Sequence, residues 1–385
     1  METQANTTQV SVAKGVDATK LEKELTAMWS GLSESKGEGQ SAGVVRACVL
    51  NLIVYAASKE ERAEVDELLE AVIGRHPCRA IVLCADRASE ESRLDAFVST
   101  RCKMSAPGAK QICGEQVTIE ADGPVVDSAS TAVAPLLVPD VPVFLWWKDI
   151  PDYEDKLFSR LSEMADRVII DSASFDRPHK DFLRLAEILK GGGLRLSDIN
   201  WGRLTSWRSL VASFWDVADY RASLERIEKV RVEYDPPDIS HDEIAPKAML
   251  ALGWIASCLG LDVEAEGSTL GDGVARFRLR GKDGREVEAE LSATDDVAGR
   301  DGMITSLTLS TAVGDEFYVA LRWNEGKLET GARTGGEGQT VTRVLNYGSR
   351  TEGERLSCEL DILSRDEIYE RAVALAARML ATVAK

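Results

Sequence analysis

The hydrophobic period of this 385-residue chain changes once, and that change constrains the fold class more than any other feature. Before Gly191-Gly192-Gly193, apolar runs alternate with segments whose apolar residues recur every three to four positions. That pattern predicts strands alternating with helices, and so a mainly parallel sheet flanked by helices. From Leu261 to about Asp361 the period falls to two, and the short runs are divided by Asp272-Gly273, Asp283-Gly284, Asp301-Gly302 and Asn324-Glu325-Gly326, the composition of hairpin turns. The expectation is an α/β chain: a disordered arm over 1–16, an α/β domain over 17–193, a helical connecting region over 194–260, and an α+β domain over 261–385 with an antiparallel sheet and a terminal helix.

Val141 to Trp147 is apolar without alternation, as in a strand covered on both faces, and its adjacent Trp146 and Trp147 must then point to opposite sides. Val44 to Ala56 reads as a single buried strand. The helix after it opens on a capping box of Ser58 and Glu61 and closes at Gly74. Further strands are expected over Arg79–Ala85, Ile112–Glu120 and Arg167–Asp171, with helices over Glu90–Thr100, Val125–Leu137, Tyr153–Met164 and Lys180–Lys190. Asn200 to Trp215 reads as a helix, Pro246 starts another, and Ser364 with Glu367 is expected to cap the last.

One hairpin is legible to the residue. Arg276, Arg278 and Arg280 share one strand face, and Glu286, Glu288 and Glu290 share a face of the return strand. A two-residue turn would set Arg280 against Val287 and mix the faces. A three-residue loop, Lys282 to Gly284 with Gly284 left-handed, instead pairs Arg280 with Glu286, Arg278 with Glu288 and Arg276 with Glu290.

Forty-six basic side chains against 64 acidic ones leave a net charge of −18, which argues against nucleic acid and anionic membranes as partners. No apolar run is long enough to span a membrane and the first 20 residues are polar, so a cytoplasmic location is expected. Seven cysteines without a CxxC read as reduced, mostly buried thiols; a redox role for Cys78, Cys84, Cys102 and Cys113 is the alternative. His76, His179 and His241 each fall at or near a helix end. With no phosphate-binding glycine loop, nucleophile elbow or metal-ligand motif, neither a cofactor nor a metal is expected. Asp171-Ser172, at the C-terminal end of a predicted parallel strand, is the one candidate ligand position. Most of the tryptophans between 146 and 215 read as core; the alternative is an interface, because Trp201, Arg203, Trp207 and Arg208 gather the two residue types most enriched among interface anchors.

Five segments in order carry a resemblance: His76 to Leu83, Ile112-Cys113-Gly114-Glu115-Gln116-Val117, Pro135 to Lys148, Ala165 to Ala173, and Asn200-Trp201-Gly202-Arg203-Leu204-Thr205-Ser206-Trp207-Arg208. In these the chain resembles the glucose-6-phosphate dehydrogenase assembly protein (OpcA) family, departing where Gly114 replaces a frequent cysteine and Ser206 a frequent proline. The resemblance implies a non-catalytic activator that binds glucose-6-phosphate dehydrogenase and promotes its active oligomer in the oxidative pentose phosphate pathway. Its contacts are expected at Trp201, Arg203, Trp207 and Arg208 and along Arg276, Arg278 and Arg280. The alternative is a sugar-phosphate-binding enzyme or sensor with its site near Asp171.

Overall fold

The computed structural model describes residues 13–14, 16–34, 44–104, 111–238, 243–295, 297–335, 341–348 and 350–383. Apart from 13, 14 and 16, the expected arm lies outside these residues, as does His241. Two compact units divide the chain: unit 1 takes 1–170, 194–197 and 351–365, and unit 2 takes 171–193, 198–350 and 366–385.

Unit 1 begins with β1 (Ala13–Lys14), α1 (Ala18–Glu34), β2 (Val44–Arg46), β3 (Leu50–Ala56), α2 (Lys59–Arg75), β4 (Cys78–Asp86), β5 (Arg93–Met104) and β6 (Gln111–Asp122). It continues through α3 (Ser130–Val133), β7 (Val143–Trp147), α4 (Lys156–Met164), β8 (Arg167–Ile170) and β9 (Leu196–Asp198), the last residue of which counts with unit 2. The strands form one sheet in the order β1-β5-β6-β4-β3-β7-β8-β9, with β2 also on β6. Neighbours from β6 to β8 are parallel, whereas β5 lies antiparallel to β6. The chain builds outward from β3 first through β4 and β6, then through β7 and β8, so the strand order reverses between β3 and β7. Phe144 to Trp147 are all buried, as a strand covered on both faces requires. Trp147 stacks on Tyr55 of β3 with ring centroids 3.9 Å apart.

Several expected elements are corrected. Glu90–Thr100 is no helix: β5 takes over from Arg93, with Ala96, Val98 and Thr100 turned inward at period two and twelve residues laddered to β6. Val44–Ala56 is two strands, β2 and β3. Val125–Leu137 is broken into a 3-10 turn, the four-residue α3 and a second 3-10 turn that holds Pro135, a residue that cannot sit inside a continuous helix. Gly74 does not end α2, which runs to Arg75 with His76 as its cap.

Unit 2 carries α5 (Pro178–Lys190), α6 (Ile199–Arg203), α7 (Thr205–Ser213), α8 (Arg221–Leu224), β10 (Ile227–Tyr234) and α9 (Pro246–Cys258). Eight further strands follow: β11 (Leu261–Val263), β12 (Thr269–Gly271), β13 (Val274–Gly281), β14 (Glu286–Ala293), β15 (Ile304–Thr311), β16 (Glu316–Arg322), β17 (Lys327–Arg333) and β18 (Val341–Asn346). α10 (Glu352–Leu360) belongs to unit 1 and α11 (Glu367–Val383) to unit 2. The second sheet runs β11-β13-β14-β10-β15-β16-β17-β18, with β12 on β13. It is antiparallel except for the β10–β14 pair.

The helix read over Asn200–Trp215 is interrupted at Leu204, giving α6 and α7. Residues near Asp361, read as strand, form α10, capped reciprocally by Thr351 and Glu354. α11 opens one residue after Asp366, whose carboxylate accepts the Tyr369 N–H at 2.9 Å, so the expected Ser364 cap is replaced. The charged hairpin has the expected register: Arg276, Arg278 and Arg280 oppose Glu290, Glu288 and Glu286, the Gly281 N–H donates to the Arg285 carbonyl at 2.8 Å, and Gly284 has φ +83°.

α9 is apolar on nearly every side and packs against α11, where Gly253 permits close approach. A Cβ on Gly253 would lie 2.3 Å from the Ala372 carbonyl oxygen and 3.3 Å from the Ala376 Cβ. Alanine gains about 1 kcal/mol of helix propensity over glycine, but overpacking costs about 1–3 kcal/mol and here meets backbone. Gly253→Ala should therefore lower the midpoint of urea unfolding; a raised midpoint would show that the two helices slide apart freely.

Candidate functional site

In unit 1 the reversal point between β3 and β7 is where an open α/β sheet ordinarily takes a ligand, with the N-terminus of the following helix turned to an anion. Here the helix is α2, and its N-terminus is already capped and carries acidic side chains. Ser58 is extended (φ −148°, ψ 170°) and its hydroxyl accepts the Glu61 N–H at 3.1 Å, as the expected box requires. The Glu61 carboxylate turns back to the Ala57 N–H at 2.8 Å, one residue before the cap. Glu60 and Glu61 place negative charge in the first turn, where a phosphate would have to sit.

Two resemblance segments meet inside the same unit. Arg79, 4% exposed, donates from Nε and Nη2 to Glu115 Oε2 at 2.8 and 2.6 Å, and from Nη1 to the Leu136 carbonyl at 3.0 Å. Glu115, 3% exposed, also receives Trp29 Nε1 and Arg46 Nε, each at 2.7 Å. Gly114 sits beside this pair, where a Cβ would be 2.8 Å from the Cys78 carbonyl. That close approach favours glycine at position 114 in this chain.

Cys78 and Cys84 are buried in β4 and carry no disulfide, and desolvation pushes the Cys78 thiol well above its usual range. Cys113 corrects the expectation of seven reduced thiols, because it is disulfide-bonded. It stands opposite Cys102 in the β5–β6 ladder, a juxtaposition hidden while β5 read as a helix. His76 closes α2, buried, with Nε2 2.9 Å from the Ser357 carbonyl. His179, in the first turn of α5, accepts the Ile244 N–H on Nε2 at 3.1 Å; burial, against the opposing charge of Glu243, lowers its pKa.

In unit 2 the structure brings Asp171, Ser172, Trp201, Arg203 and Arg208 into one network. Arg203 grips Asp171 in a two-pronged pair at 2.6 and 2.7 Å, so both are consumed by each other. Ser172 is fully buried; its N–H donates to Asp198 Oδ1 at 3.0 Å and its hydroxyl accepts from Asn200 Nδ2 at 3.1 Å. Asp198 caps α6 through the Asn200 N–H at 2.9 Å and takes the Tyr369 hydroxyl at 3.3 Å. Burial first, then the Asp171 carboxylate, push Asp198 up to about 6. Trp201 donates Nε1 to Asp366 at 2.9 Å and carries Arg208 over its ring at 3.7 Å. Trp207 is 2% exposed and packs in the interior. Sequence reading had no access to Asp198, Asp366 or Tyr369, which reach this network from up to 171 positions away.

On the hairpin, Arg276 pairs with Glu290 at 3.0 Å, and Arg280 holds both Glu286 and Glu264. Arg278 has no ion pair among the described residues and lies across Gly267. The three arginines are exposed, while Phe277 and Leu279 between them are buried. Among the described residues there is no group of three or more potential metal ligands, and no helix is long and apolar enough to cross a membrane.

The chain is similar over 320 residues to the protein named OpcA, of the OxPP cycle, in Nostoc punctiforme: 32% identity over 79% of this chain and 65% of the relative. The Synechococcus elongatus protein of that name shares 27% identity over 80% and 69%. The chain thus spans about two-thirds of the length of these relatives. Among solved structures, an NAD binding oxidoreductase from Klebsiella pneumoniae matches with a TM-score of 0.50 at 12% identity, covering 88% of this chain and 96% of that one, which shows the fold alone. Family models described as the N-terminal and C-terminal domains of a glucose-6-phosphate dehydrogenase subunit match residues 69–187 and 194–373, and this chain belongs to that OpcA family.

Proposed function

We propose that this chain is a non-catalytic cytoplasmic partner of glucose-6-phosphate dehydrogenase that binds the enzyme and favours its active oligomer in the oxidative pentose phosphate pathway. The observation that carries this reading is the match of both subunit domains in order along the chain. The internal chemistry supports it: the α2 N-terminus is capped by Ser58 and carries the negative charge of Glu60 and Glu61, Asp171 is spent on Arg203, and Ser172 is out of reach of any substrate. The exposed Arg276, Arg278 and Arg280 face of β13 is the leading contact, with Arg208 on Trp201 the second. Activation requires tighter binding to the active dehydrogenase than to the inactive form.

Mixing the purified chain with its cognate dehydrogenase should raise the rate of NADP reduction or lower the KM for glucose 6-phosphate, and should shift the enzyme to a larger species in sedimentation. Arg278→Glu should weaken the complex about tenfold, since a like charge placed across an interface costs more than a lost rim contact. No change in rate, KM or size, or turnover of a metabolite by the chain alone, would overturn the assignment.

A further inference from the structure

Unit 2 holds a cleft of about 600 Å³ that shares only Arg280 with the contact face proposed above. Its walls are the C-terminal turn of α9, β11, the end of β13 and one stripe of α11. Leu261, Val263 and Leu375 contribute apolar surface, while Arg280, Lys282, Arg371 and Arg378 contribute four cations against the two carboxylates of Asp262 and Glu264. Such a cationic excess stands out in a chain of net charge −18.

The charges are unequally committed. Arg378 pairs with Asp262, and Arg280 is shared between Glu264 and Glu286. Arg371 and Lys282 have no ion pair among the described residues, though both line the cleft. They are not needed to neutralise the carbonyl end of α9, because Arg285 donates to the Leu259 carbonyl at 3.4 Å. The cleft volume falls in the range of small-molecule sites, roughly 300–1,000 Å³. We propose that this cleft binds a phosphorylated sugar, its phosphate held by Arg371 and Lys282, its hydroxyls by the remaining lone pairs of Asp262 and Glu264, and its carbon skeleton over Leu261 and Leu375. Two uncommitted cations match the charge of a phosphate monoester, and a carboxylate offers about four acceptor sites, of which an arginine uses one or two.

The test uses the full chain without any dehydrogenase, so its failure leaves the assembly reading standing. Titration calorimetry with glucose 6-phosphate should give saturable binding with Kd below about 1 mM. Glucose should show none, and inorganic phosphate should bind at least tenfold more weakly. Arg371→Ala and Lys282→Ala, both at exposed positions, should each weaken binding about tenfold, whereas Arg343→Ala on β18 should leave it unchanged. Absence of binding up to about 10 mM glucose 6-phosphate, or unaltered binding by a folded Arg371→Ala protein, overturns the site; inorganic phosphate binding as tightly as the ester overturns the sugar component.

Discussion

Arg79→Leu should destabilise unit 1 by about 3–5 kcal/mol, the cost of removing one partner from a buried ion pair. Glu115 would remain 3% exposed with only Trp29 and Arg46 to hold it, and the Leu136 carbonyl would lose its donor. Because the penalty comes from the stranded carboxylate, Arg79→Leu/Glu115→Leu should be more stable than the single variant, although it deletes more native bonds. Guanidinium unfolding of the three proteins checks both parts. A single-variant loss under about 1 kcal/mol would mean that water reaches Glu115 and that the pair behaves as a surface bridge.

Asp198→Asn should act in the opposite direction, stabilising the protein at neutral pH. The folded carboxyl titrates near 6 against a usual 3.8, so the folded state binds the proton more tightly than the unfolded chain. That stability is fully present below about pH 4 and is lost as pH rises through 6. By pH 7.5 the loss is on the order of 3 kcal/mol, from about two pH units at 1.36 kcal/mol each. Asparagine keeps an oxygen for the Ser172 and Asn200 N–H groups and remains a good cap for α6, while the Tyr369 hydroxyl can turn to accept from its amide. The variant should therefore melt higher than the parent at pH 7.5 and at the same temperature near pH 4. Parallel melting curves across that range would show that Asp198 is ionised at no cost.

What could be read in advance was local. The β13–β14 register followed from three arginines and three glutamates whose faces match only with Gly284 left-handed, information contained within the 15 residues from Arg276 to Glu290. The tryptophan pair of β7 likewise announced a strand covered on both sides. β5 was misread because Glu90, Glu91 and Arg93 look like the charged start of a helix, while its inward Ala96, Val98 and Thr100 acquire meaning only once β6 lies alongside. The same omission concealed the opposition of Cys102 and Cys113. The residues singled out at Asp171, Arg203 and Trp201 do converge, yet Asp198 and Tyr369, which complete their network, are joined by tertiary contact alone.

The division of the chain bears on how the protein is made. Unit 1 recruits Thr351–Arg365, where His76 meets the Ser357 carbonyl and Arg167 meets that of Ser364. During synthesis, the face of α2 that receives α10 must stay uncovered until residue 365 has left the ribosome, long after the strands of its own sheet have been translated. An expression fragment stopping at the glycines near 193 would carry that bare face permanently, and one stopping at Arg365 would strip α11 from α9, so biophysical work needs the chain through α11.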